Sequence, residues 1–110
     1  MKFKQNTIVI FNSFAQAALA KVEKAYRDTA NVEPELTAGM NGEHGPSSFH
    51  YRGLAWDFSV RDIPIEKRRL VYEALCKELP AGYYDILHES RETPNEHYHV
   101  EYDPKQRRGL

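Results

Sequence analysis

Imidazole and carboxylate side chains concentrate in two stretches, SSFHYRGLAWDF (47–58) and NEHYHVEYD (95–103). The first sets His50 and Asp57 seven residues apart, with Gly53 and Ala55 between them; the second holds Glu96, His97, His99 and Glu101. Imidazole nitrogens and carboxylate oxygens are ligands of divalent cations, zinc above all. If His50 and Asp57 bind one ion, their donor atoms must lie within about 3–4 Å of each other, because each bond is near 2 Å. On one helix the two Cα atoms would stand roughly 10 Å apart along the axis. On one strand the gap would be roughly 23 Å, and the side chains would face opposite ways. The chain must therefore fold back between them, and Gly53 is the residue best suited to the bend.

The elements that would position these groups follow from periodicity. LAWDFSV (54–60) alternates: Leu54, Trp56, Phe58 and Val60 point one way, Ala55, Asp57 and Ser59 the other. In HYHVEYD (97–103), Tyr98, Val100 and Tyr102 form an apolar face opposite His97, His99 and Glu101. YYDILHE (83–89) is its hairpin partner across the loop SRETPNE. Residues 7–11 and 35–40 read as two further strands, and 41–48 reads as a loop from its Gly, Pro, Asn and Ser content. Ser13 offers an N-cap with Gln16 as capping-box partner. Phe14, Ala18, Val22 and Tyr26 then form an apolar stripe on a helix over roughly 13–29. A second helix starts near Asp62–Pro64, buries Leu70, Val71, Ala74, Leu75 and Leu79, and ends at Pro80 and Gly82. The expected fold is α+β: one domain over 1–110, a small antiparallel sheet with two helices packed on its apolar face.

With the strands of Asp57 and His99 as neighbours, His50, Asp57 and His99 can converge on one ion. Two imidazoles, one carboxylate and a fourth position for water make a catalytic zinc site. Taken alone, an H-x-H on a strand is usually incidental, and a lone His–Asp pair at this spacing means nothing. The combination with Gly53, Ala55 and Glu96 is what is specific.

The rest of the composition narrows the field. Lys plus Arg number 15 against 16 Asp plus Glu, a net charge of −1, which argues against binding nucleic acid by phosphate neutralisation. The basic run KRR at 67–69 lies in a helical pattern and reads as a solvated face. Cys76 is the single cysteine, so an intramolecular disulfide and a cysteine zinc site are both excluded, and its mid-helix setting suits an inert small residue. No stretch of 18 apolar residues suggests a membrane span. The first twenty residues mimic a secretory signal, but their apolar run, TIVIF, is short for one; they are read as structural, and the chain is expected to be cytoplasmic when synthesised.

Ser48-Phe-His50-Tyr-Arg-Gly53-Leu-Ala55-Trp-Asp57 resembles, position for position, the S-x-H-x-x-G-x-A-x-D motif of the D-Ala-D-Ala carboxypeptidase/endopeptidase metallopeptidases. Glu96-His-Tyr-His99 is similar to the family's second motif, an acidic residue three before a zinc histidine. His97-Tyr-His99 is similar to the H-x-H of lysostaphin-type peptidases and the Hedgehog signalling domain. The longer stretches around both motifs look most like small phage-encoded members. The motifs cover roughly a third of the chain. The resemblance implies a Hedgehog/DD-peptidase-like fold, Zn2+ held by His50, Asp57 and His99, and Glu96 as general base for the attacking water. His97 is the second candidate for proton transfer or oxyanion stabilisation, Glu101 is expected to support the site, and Ser48 to bond substrate backbone. The implied substrate is a peptidoglycan stem peptide, reached after release from the cell in the manner of phage lysis enzymes.

One departure stands out. Many family members carry S-G-Y-R upstream, whose arginine stabilises the oxyanion; here the stretch reads Ala38-Gly39-Met40-Asn41. Asn41 and His44 are the candidates to replace it. The missing arginine also motivates an alternative, a non-catalytic zinc-stabilised module that binds cell wall or a protein partner. No Gly-rich loop at a helix start supports phosphate chemistry.

Overall fold

A computed structural model describes residues 1–9, 12–40, 50 and 53–103. In chain order these form β1 (Lys2–Phe3), α1 (Ser13–Ala30), β2 (Glu35–Ala38), β3 (Ala55–Ser59), a 3-10 turn (Ile65–Lys67), α2 (Arg68–Glu78), β4 (Tyr84–Glu89) and β5 (His97–Tyr102). One five-stranded sheet has the order β1-β2-β3-β5-β4. The expected α+β class with two helices holds, but the sheet is mixed rather than antiparallel. β1 runs parallel to β2, with Lys2 beside Glu35 and Phe3 beside Leu36. The helix between these two strands is the reason: a strand–helix–strand crossover returns the chain in its original direction.

Alternation along the strands divides the sheet into two faces. Trp56, Phe58, Tyr98 and Val100 are all but sealed from solvent, and Leu36, Tyr84, Ile86 and Tyr102 join them in one core. Against this face lie Ala15, Ala18, Leu19, Val22 and Tyr26 from α1 and Val71 and Leu75 from α2. The opposite face carries Thr37, Asp57, Ser59, Glu89, His97, His99 and Glu101, none of them buried.

Several local expectations are corrected. The described residues 7–9 of the first expected strand are not strand; Lys2–Phe3 takes the sheet edge instead. Asn12, not Ser13, caps α1, its side chain accepting a 2.7 Å bond from the Ala15 N–H. Asn and Ser are equivalent at this position, so composition could not choose between adjacent residues. β2 ends at Ala38 rather than at residue 40. Leu70 is half exposed because it falls one position off the Val71–Leu75–Leu79 stripe. Phe14, also partly exposed, stacks on Tyr102 with ring centroids 4.5 Å apart. Cys76 lies exposed on α2.

Candidate metal centre

Register explains why the site forms. β3 and β5 are antiparallel neighbours in which Asp57 stands directly opposite His99 and Ser59 opposite His97. Paired residues of an antiparallel ladder share a face, with Cβ atoms about 5 Å apart. The Asp57 carboxylate accordingly reaches His99, with Oδ1 2.9 Å from Nδ1. The third group arrives by the bend expected at Gly53. That residue adopts φ 69°, in the left-handed region, and its N–H bonds the His50 carbonyl at 3.1 Å. The turn folds His50 back over the sheet, so that Nε2 lies 3.5 Å from Asp57 Oδ1 and the His50 and His99 rings are 5.0 Å apart.

A donor atom from each of His50, Asp57 and His99 falls within 4.8 Å of the other two, so these residues could hold a metal ion. Tetrahedral ligands at zinc bond lengths stand about 3.3 Å from one another, close to the 2.9 and 3.5 Å separations here. The remaining nitrogens are engaged in the way that orients metal-binding imidazoles. His50 Nδ1 is 2.7 Å from the Gly39 carbonyl, and His99 Nε2 is 3.1 Å from Glu101 Oε1. Each ring therefore turns its other nitrogen toward Asp57. The donor set and its supports fit a divalent cation.

Electrostatics without the cation show what the cluster costs. Burial opposes ionisation of Asp57, but hydrogen bonds with His50 and His99 prevail and hold its carboxyl well below the usual range. Burial likewise opposes a charge on His99, yet its bonds to Asp57 and Glu101 push it up to about 9. The same two carboxylates that favour a proton on His99 would favour a cation beside it.

Glu96 is placed differently. It precedes β5, and strict alternation turns it with Tyr98 away from the His99 face. Its carboxylate accepts bonds from Arg68 Nη1 at 2.9 Å and from the Glu92 N–H at 3.2 Å, and lies 2.6 Å from His88 Nε2. Burial disfavours its charge, and the bonds from His88 and Glu92 with the Arg68 guanidinium outweigh that, holding it below the usual range. His97 sits on the same face as Asp57, its Nδ1 2.7 Å from the Asn95 carbonyl and its Nε2 3.3 Å from Glu89 Oε1. A groove of about 480 Å³ runs beside these groups, bounded by Thr37, Asp57, Ser59, Arg61, Pro94 and His97. Arg68 and Glu96 line it as well. Ser48, Asn41 and His44 lie outside the described residues.

Glu89 was not anticipated. It is Asp57 and His97's neighbour because β4 and β5 pair Glu89 with His97. A hairpin closed by residues 90–96 brings those two together, so the signal was present in the loop length.

Fold and site together define a small α+β domain whose polar sheet face could bind a metal ion. Compared with known proteins, the chain matches no protein-family model and no curated protein. Among the described residues no helix is long and apolar enough to cross a membrane.

Proposed function

We propose that the chain is a zinc peptidase that hydrolyses amide bonds in peptidoglycan stem peptides, on a Hedgehog/DD-peptidase-like fold. The observation that carries this reading is the convergence of His50, Asp57 and His99, which come from the two motifs that resemble those of the D-Ala-D-Ala carboxypeptidase/endopeptidase metallopeptidases. These three residues would hold the ion, with Gly39 and Glu101 fixing the rings. Zinc, when bound, supplies a Lewis acid for the scissile carbonyl and brings the pKa of a water to about 7.

The chain's own groups supply the rest. The groove beside Asp57 seats an extended peptide against the polar face of the sheet. The clamp of Arg68 and His88 on Glu96 favours His97 over Glu96 as the group that takes the water's proton. With Nδ1–H directed at the Asn95 carbonyl, the lone pair lies on Nε2, and Glu89 stands 3.3 Å away to pair with the imidazolium. His97 then returns the proton to the leaving amine.

Elemental analysis for zinc and a chelator-sensitive muropeptide digestion test this directly. A folded sample with no affinity for zinc and no released amine overturns it. The clamped Glu96 also favours a second reading, a zinc-stabilised binding module. Replacing His97 with Ala and Glu96 with Gln, each alone, separates the two. A peptidase loses turnover in at least one variant while retaining metal; a binding module shows no turnover in the parent protein and keeps its ligand.

A further inference from the structure

Asp57, Glu89 and His97 form a second group whose donor atoms all fall within 4.8 Å of one another. It shares Asp57 with the first. Three observations give it the character of a ligand set. Glu89 and His97 are directly opposed on β4 and β5, while His97 is opposed to Ser59 on β3, so a small side chain leaves room beside Asp57. The His97 Nδ1 lies 2.7 Å from the Asn95 carbonyl, which leaves Nε2 to ligate, as the Gly39 carbonyl does for His50 at the same distance. Asp57 and His97 also line the open groove, giving an ion a path in from solvent.

We propose that this face binds a second divalent cation, adjacent to the first, with Asp57 as the carboxylate common to both. A bridging carboxylate is what allows two cations to lie about 3.5–4 Å apart in binuclear centres. One imidazole and two carboxylates form a harder donor set than the first site, and the Glu89 side chain is 43% exposed where that of His50 is 5%. The second ion is therefore the weaker of the two.

A functional consequence rests on the peptidase reading. The second ion takes the Nε2 lone pair that His97 uses for proton transfer. Hydrolysis therefore rises as the first equivalent of metal is added and falls as the second binds, so that metal excess switches the enzyme off.

Equilibrium dialysis of the metal-free full chain against Zn2+ tests the site without an activity assay. Two ions per chain are expected, one tight and one weak. Glu89→Gln should weaken the second by at least tenfold and leave the first in place, and Asp57→Asn should weaken both. Glu89 is exposed at a strand end, so the Gln variant keeps the fold, which circular dichroism checks. One tight ion in the parent chain, or two ions undiminished in Glu89→Gln, overturns the second site and leaves the peptidase reading standing. No bound ion overturns both.

Discussion

At the scale of single residues, the candidate site sets protons against any cation it binds. A folded-state pKa of about 9 for His99, raised from 6.5, means that its protonated form stabilises the metal-free fold at full strength below about pH 6.5. That contribution is lost as pH rises toward 9. Asp57 and Glu96 have depressed values, so their contributions are present above the ordinary carboxylate range and are lost progressively as pH falls from that range through their lower folded-state values. The metal-free protein should therefore show its highest urea midpoint between roughly pH 5 and 6.5, declining on both sides. Metal affinity follows the opposite rule, because the cation must displace the His99 proton. It should increase by about tenfold per pH unit up to about 9, read by competition with a chromophoric chelator. Glu101→Gln removes the carboxylate behind His99 and should weaken the tight ion by about 10–100-fold while the fold persists.

At the scale of elements, two glycines hold the site by what they lack. Gly53 turns the chain at φ 69°, so a Cβ there costs about 1–2 kcal/mol and works against the return of His50. Gly53→Ala should lower both the denaturation midpoint and metal affinity. A Cβ on Gly39 would sit 2.3 Å from the Ile8 carbonyl oxygen, a backbone atom that cannot rotate away. The Gly39 carbonyl is the His50 partner, so the close packing of two backbone segments sets the angle of a ligand. Asn12 serves both helix and turn: its Oδ1 caps α1, a contact whose loss costs about 1 kcal/mol, and its Nδ2 lies 3.4 Å from the Gly53 carbonyl. Asn12→Ala should therefore lower the denaturation midpoint and, to a smaller degree, metal affinity. The β4–β5 loop has its own device. Ser90 and Glu92 adopt positive φ, and Glu92 thereby aims its N–H at Glu96.

At the scale of the whole molecule, one core supports one polar face. Trp56, Phe58, Tyr98 and Val100 hold β3 and β5 in the register that sets Asp57 against His99. Site and core are thus two sides of the same two strands, and metal binding should be coupled to stability. At free zinc 100-fold above the dissociation constant the native state gains about 2.7 kcal/mol. Adding a chelator should lower the melting temperature correspondingly, and Asp57→Asn should reduce the difference.

Local periodicity made the two faces of β3 and β5 readable from the chain, because side chains alternate whatever the neighbours are. Glu96 obeys the same rule, and its turn away from His99 follows from its position three residues before that histidine. The need for a bend at Gly53 followed from bond lengths and spacing alone. Choices between equals were not readable. Asn12 and Ser13 are interchangeable as caps, and a dipeptide strand such as Lys2–Phe3 has no period to detect. Only tertiary structure decided which carbonyl and carboxylate orient the histidines, that Arg68 and His88 claim Glu96, and that Glu89 joins Asp57 and His97. These contacts join residues distant in sequence, and no spacing along the chain encodes a distance across the sheet.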